Sequence, residues 1–225
     1  YNFLIARLEK GLPSYTTYHN IEHTKNVINA AAYLAELENV TGEDRTLLLT
    51  AALFHDAGFL QNHKNHEKIS CQVARKYLPQ FNYSIEQIDS ICTMIMATKL
   101  PQSPGNHLSR ILCDADLFYL GNDEYTEYSH KLFLEFKKNG MVKTYANWLM
   151  KQIDFVSTHR FFTKSAIESQ EQKKQETLKN LKTELETAIP KHQKTSSGEI
   201  IQDTVLNIIG ILIAGFALKC FLVPN

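Results

Sequence analysis

"LLLTAALFHDAGF", residues Leu47 to Phe59, decides the fold class. Leu48, Ala51, Ala52 and His55 recur at helical spacing and share one face. Just upstream, Thr41-Gly-Glu-Asp44 resembles a capping box that would open this helix. The end of the run is unusual. A buried helix of Leu, Ala and Phe normally stops in a neutral cap, whereas this one stops in the adjacent pair His55 and Asp56. Such a pair needs a charge partner, and a divalent cation is the obvious one.

The same period extends in both directions. Val27, Ala31, Leu34 and Ala35 form a stripe upstream, and Ile69, Val73 and Tyr77 mark a helix that stops near Pro79. Ser84 with Gln87 reads as a capping box for a helix carrying Ile88, Ile91, Cys92 and Ile95. "LPQSPGN", residues 100–106, is a loop by its Pro and Gly content. Leu108, Ile111, Leu112 and Ala115 predict a helix closed by Gly121, and two more follow at 123–139 and 144–160 around Gly140. No alternating strand pattern and no internal repeat is evident. The expectation is an all-α compact bundle.

Composition narrows the function. Lys plus Arg and Asp plus Glu both number 24, so the net charge is zero and a general nucleic-acid binder is not expected. Cys71, Cys92, Cys113 and Cys220 lie far apart without a C-x-x-C, which fits free thiols in a reducing compartment rather than a zinc ribbon. The first residues do not read as a secretory leader.

After Thr163 the chain becomes polar and helix-forming, and residues 164–203 read as a helical linker. Leu178, Leu181, Leu185 and Ala188 are spaced either for a short coiled-coil seam or for a helix packed on the domain. Residues 204–223 differ again. Val205 to Val223 is apolar and close to the length of about 20 residues that a transmembrane helix needs. A helix buried in a groove or an oligomer is the other reading, since the uninterrupted run spans only Ile208 to Leu218.

Chemistry concentrates in three places. "TYHNIEHTKNV" sets His19 and His23 one helical turn apart. His55 and Asp56 form the second place. "SRILCDADLFYLG" is the third, where Asp114 and Asp116 interrupt an apolar helix at a cost unless they are paired or bind metal. His23, His55, Asp56 and Asp116 are mixed nitrogen and oxygen donors suited to a divalent ion with positions left for water and substrate. Asp114 is the rival to Asp116. His63 reads as solvated loop, Glu22 as solvent-exposed or supporting, and Trp148, Phe161 and Phe162 as packing.

The ordered set H…HD…D resembles the HD-domain superfamily of metal-dependent phosphohydrolases, over about residues 1–163. "FHDAGF", "NHEKIS" and "ILCDADLFYLG" resemble segments of small bacterial HD proteins, and "YHNIEH" resembles the Y-H-N-x-x-H segment of class I cyclic-nucleotide phosphodiesterases. The resemblance implies that His23, His55, Asp56 and Asp116 bind a divalent ion (Mn, Mg, Fe or Zn), with Asp56 also catalytic and Lys99 a further catalytic candidate. It implies that His19 protonates a leaving oxygen and that Asp114 supports the ligands. His66 falls where two-metal members place a further histidine. The histidine those members carry before the last aspartate is replaced here by the stretch holding Lys99, with His107 in a loop, so His66 and Lys99 become candidates for a second metal or for phosphate. The implied function is hydrolysis of a phosphoester, a nucleotide or cyclic nucleotide; separately, the apolar length of residues 205–223 gives the expectation of a membrane anchor for a cytoplasmic domain, and oligomerisation is left open. The alternative is a nucleotide-binding sensor or effector without turnover.

Overall fold

A computed structural model describes residues 1–188. The described chain folds into α1 (Asn2–Gly11), α2 (Ile21–Leu37), α3 (Gly42–Phe54), α4 (His66–Tyr77), α5 (Ile85–Ala97), α6 (His107–Asp116), α7 (Tyr125–Lys138), α8 (Tyr145–Thr158) and α9 (Lys164–Ala188). Single 3-10 turns lie at Ala57–Leu60, Leu78–Phe81 and Phe118–Gly121. No strand occurs among the described residues.

Local chemistry sets the helix starts. The Asn20 side chain accepts from the backbone N–H of Glu22 and of His23 and opens α2. Ser84 and Gln87 form the reciprocal box expected for α5. The box expected at Thr41 is absent: Thr41 stands at the N-cap of α3 without a side-chain bond. Gly42, at φ +58°, turns the chain sharply there, away from the backbone path on which a capping hydroxyl reaches the first turn.

The apolar stripes meet in one core. α2 packs on α3 and α6, and α5 packs against α3, α4 and α6. Ala31, Leu34, Leu48, Ala51, Ile91, Ile95, Ile111 and Leu112 are sealed between them. The stretch after α6 departs from expectation, because α6 ends at Asp116 and a 3-10 turn carries the chain to Gly121. A Cβ on Gly121 would stand 2.6 Å from the Gln170 carbonyl oxygen, so the missing side chain lets α9 settle on this turn.

α9 is not a free linker. It packs along α8, with Ala166, Leu178, Leu181 and Leu185 buried. The leucine stripe therefore serves the domain itself. Lys174 is fully buried on the same helix. Its ammonium donates to the His159 carbonyl at 3.0 Å, pairs with Glu171 at 2.8 Å and lies 5.0 Å from the centre of the Phe161 ring. A cation on the carbonyl that caps α8 complements the negative end of that helix. Among the described residues no helix is long and apolar enough to cross a membrane. The expected spanning segment, 204–223, and the rest of the linker from 189 lie outside the described residues.

Candidate metal centre

Three helix termini bring the candidate donors together. His23 sits in the first turn of α2, aligned by the Asn20 cap. His55 caps the C-terminus of α3, and Asp56 follows at the start of a 3-10 turn. Asp116 is the last residue of α6. A helix end lets a side chain leave the packed face of its helix while the backbone stays anchored.

The turn after Asp56 is held from below by α4. The Ser70 hydroxyl donates to the His55 carbonyl at 2.6 Å and accepts from the Gly58 N–H at 2.8 Å. A Cβ on Gly58 would stand 2.0 Å from the His66 carbonyl oxygen, so only glycine allows the turn to lie this close to α4.

The imidazoles are oriented. His55 Nδ1 donates to the Ala52 carbonyl at 2.7 Å, which leaves Nε2 as the acceptor of the neutral ring. That Nε2 lies 3.2 Å from His23 Nε2 and 3.2 Å from Asp56 Oδ2. His23 Nε2 lies 3.4 Å from Asp56 Oδ2 and 3.3 Å from Asp116 Oδ1, and the latter is 3.5 Å from His55 Nε2. His66, turned by a bond from Nδ1 to the His63 carbonyl, sets its Nε2 at 3.4 Å from Asp56 Oδ1.

These separations are those of donors around one cation. Ligand atoms at about 2.0–2.2 Å from an ion stand about 3.0 Å apart at octahedral angles and about 3.4 Å apart at tetrahedral ones. Asp56 Oδ2 is buried and has no hydrogen-bond partner, which is costly for a carboxylate without a cation. His23, His55 and Asp56 thus form a buried group able to hold a divalent ion, and Asp116 faces both imidazoles of that group.

The electrostatics follow. Burial acts to lower the pKa of His23, but Asp116 and Asp56 outweigh it and raise it. For His55 burial likewise opposes, and the charge of Asp56 with the bond to Asp116 carries its pKa well up. Burial would raise both carboxyls, yet the imidazoles hold Asp56 and Asp116 well below the usual carboxylate range. Two carboxylates therefore stay ionised at a buried point, as a cation site requires.

Beside this centre, His19 Nδ1 lies 2.6 Å from Glu135 Oε1. The other Glu135 oxygen accepts from the backbone N–H groups of Tyr18 and His19, at 3.0 and 3.2 Å. The His19 ring stacks on Phe59 at 4.2 Å between centroids, and its centroid is 5.9 Å from that of His23 and 6.3 Å from that of His66. A cleft of about 340 Å³ opens against His23 and Asp116, with Asn26, Tyr33, Tyr119 and Tyr128 also on its walls.

Two candidates lie elsewhere. Asp114 is fully buried and turns to the segment before α9, accepting from the N–H groups of Phe162 and Thr163 and from the Thr163 hydroxyl, each at 2.7–2.8 Å. Its hydrogen bonds tie α6 to the segment that leads into α9. Lys99 is exposed at the end of α5 and makes no side-chain hydrogen bond or ion pair with any group of the centre. His107 opens α6, exposed, 3.5 Å from Glu38. Glu22 is exposed and pairs with Lys131 at 2.7 Å.

Glu135 escaped the sequence reading. Its signal was present: Tyr125, Ser129 and Leu132 define the buried stripe of α7, and the next step along it is a carboxylate. A buried Glu on an apolar stripe implies a partner.

With the fold and centre described, the class is plain: an all-helical domain whose His-Asp pair closes a buried donor group. Residues 20–119 match the family model of the HD domain. Among solved structures it is similar to a predicted HD superfamily hydrolase from an uncultured Thermotogales bacterium. That likeness has a TM-score of 0.56 and 17% identity, covering 83% of this chain and 91% of the other, and at that identity it concerns the fold alone. No curated protein matches.

Proposed function

We propose that this protein is a metal-dependent phosphohydrolase acting on a nucleotide or cyclic nucleotide, with His23, His55, Asp56 and Asp116 as the ligands. The observation that carries this reading is the convergence of two imidazoles and two carboxylates at 3.2–3.5 Å, with a buried carboxylate oxygen left unbonded. A bound divalent ion would polarise a phosphoryl oxygen and lower the pKa of a coordinated water into the neutral range.

The chain supplies the rest. Glu135 orients the His19 ring by accepting a hydrogen bond from Nδ1, which turns Nε2 outward. His19 Nε2 then gives its proton to the leaving alkoxide. Asp56 would hold the ion through its buried oxygen and, when the ion is bound, would orient the attacking water, while His66 steadies its outer oxygen. The cleft beside His23 and Asp116 receives the organic part of the substrate, and its aromatic and amide walls suit a nucleoside. Lys99 and a second metal have no place in this scheme. Residues 205–223 are proposed as a membrane anchor for a cytoplasmic domain, on their apolar length alone.

The test is turnover of a panel of nucleoside monophosphates and cyclic nucleotides with Mn²⁺, Mg²⁺, Fe²⁺ or Zn²⁺, alongside metal analysis. Asp56→Ala should lose both bound ion and hydrolysis. Protein that retains no ion after saturation with each metal would overturn the site.

A further inference from the structure

On the face of the bundle formed by α4 and α5, Cys71 and Cys92 meet. The Cys71 sulfur lies 3.5 Å from the Cys92 carbonyl oxygen, and the Cys92 sulfur lies 3.8 Å from the Cys71 carbonyl oxygen. This reciprocal contact needs two closely approaching helices, and Ala74 beside Cys71 keeps the interface narrow. One turn along each helix, Arg75 pairs with Asp89 across the same seam at 2.6 Å. Both thiols are mostly covered, yet they form part of the wall of a cleft of about 590 Å³, together with Arg75, Asp89, Thr93 and Met96. Cys113, by contrast, is fully buried under Ala97.

We propose that Cys71 and Cys92 are a dithiol modification site that reacts with a small hydroperoxide entering this cleft and closes to a disulfide between α4 and α5. Three features combine here that free cysteines in a core do not share: a second thiol in contact, an opening to solvent and a guanidinium beside them. The contact with the Cys71 thiol, helped by Arg75 and opposed by burial and by Asp89, lowers the pKa of Cys92, and the same contact together with burial raises that of Cys71. The attack is assigned to Cys92 and the resolving step to Cys71, an order that the two single variants distinguish.

The chemistry balances. Cys92 gives up its proton, and its sulfur attacks one peroxide oxygen. The O–O bond breaks, a sulfenic acid forms and the departing hydroxide takes the proton as water. The Cys71 sulfur then attacks the sulfenic sulfur, the S–O bond breaks, and a second water leaves with the Cys71 proton. The two thiols lose two electrons and the peroxide gains them.

The reaction does not depend on the hydrolase reading and is tested on the full chain. Cleavage after Lys68, Arg75, Lys76 and Lys99 places the two cysteines on separate tryptic peptides, apart from those of Cys113 and Cys220. Hydrogen peroxide near stoichiometry should join these two peptides, reversibly with dithiothreitol. Cys71→Ala should trap Cys92 as a dimedone-reactive sulfenic acid, whereas Cys92→Ala should leave Cys71 at least about 10-fold less reactive. Circular dichroism identifies any variant that fails to fold, and the wild-type peptide map decides in that case. The proposal is overturned if Cys71 and Cys92 both stay alkylatable under peroxide that oxidises Cys220, or if a folded Cys71→Ala yields no sulfenic acid at Cys92.

Discussion

His19 and His23 stand one turn apart in sequence and face different partners. His23 meets Asp56, Asp116 and His55; His19 meets Glu135. Their variants should separate accordingly. His23→Ala should lose the ion. His19→Ala should keep it and lose turnover by about 10²–10⁴-fold on an ester with a poor leaving group. The same variant should hydrolyse a nitrophenyl ester nearly normally, because that leaving group needs no proton. Glu135→Gln preserves shape and removes the charge behind His19, so a smaller loss of about 10–100-fold is expected. Equal losses on both esters would remove His19 from the acid role. His159 makes a separate prediction. It is buried, neither ring nitrogen has a hydrogen-bond partner, and burial followed by the nearby Lys174 charge pushes its pKa down to about 4. The unfolded chain takes up this proton near pH 6.5 and the folded one does not. Stability should therefore fall as pH drops from about 6.5 to about 4, by at most about 3 kcal/mol, and level off below. The centre's own histidines shift in the opposite sense, so the difference between wild type and His159→Phe isolates the effect. Chemical denaturation of both at pH 7 and pH 5 should show the variant gaining relative stability at the lower pH.

At the scale of elements, α9 takes the second of the two readings its leucine spacing allows and packs on the domain. A polar, lysine-rich stretch reads as an appendage, yet Leu178, Leu181 and Leu185 bury against the domain, and Asp114 needs the N–H groups of Phe162 and Thr163. Cutting after Thr163 would uncover this face and leave Lys174's partners at the end of α8 open. A chain ending at Ala188 should be monodisperse and unfold cooperatively, whereas one ending at Thr163 should aggregate or melt well below it. Within the intact chain, Leu181→Ala should cost about 2–4 kcal/mol by denaturant titration. An unchanged midpoint in either experiment would mean that α9 contributes nothing to the domain.

Across the whole molecule, the centre joins α2, α3 and α6 through their ends, so a cation binding there also fastens three helices together. Binding to the folded state alone stabilises by about 2.7 kcal/mol at one hundred times Kd. Saturating Mn²⁺ or Zn²⁺ should raise the thermal midpoint, chelator should reverse it, and Asp56→Ala should abolish the response. A variant that responds fully would place the ion elsewhere. The tail is a separable question. If residues 205–223 anchor the protein, the full chain should fractionate with membranes and the chain ending at Ala188 should not.

The sequence by itself determined the helical class, the order of the helices from α2 to α8 and four polar side chains that the fold brings within 3.2–3.5 Å of one another, while α1 went unread. Those features rest on local rules: a 3.6-residue apolar period, capping chemistry at Ser84, and polar groups placed where an apolar helix does not tolerate them. Only the tertiary structure decided which polar groups meet. Asp114 and Asp116 are two residues apart on one helix and so point in different directions, one to the start of α9 and one to the imidazoles. Glu135 reaches His19 across 116 residues, and Lys174 reaches the end of α8 from a helix that composition marks as solvent-facing. Pairings of this kind depend on how helices pack, and packing is set by the summed fit of many side chains rather than by the residues that form the pair.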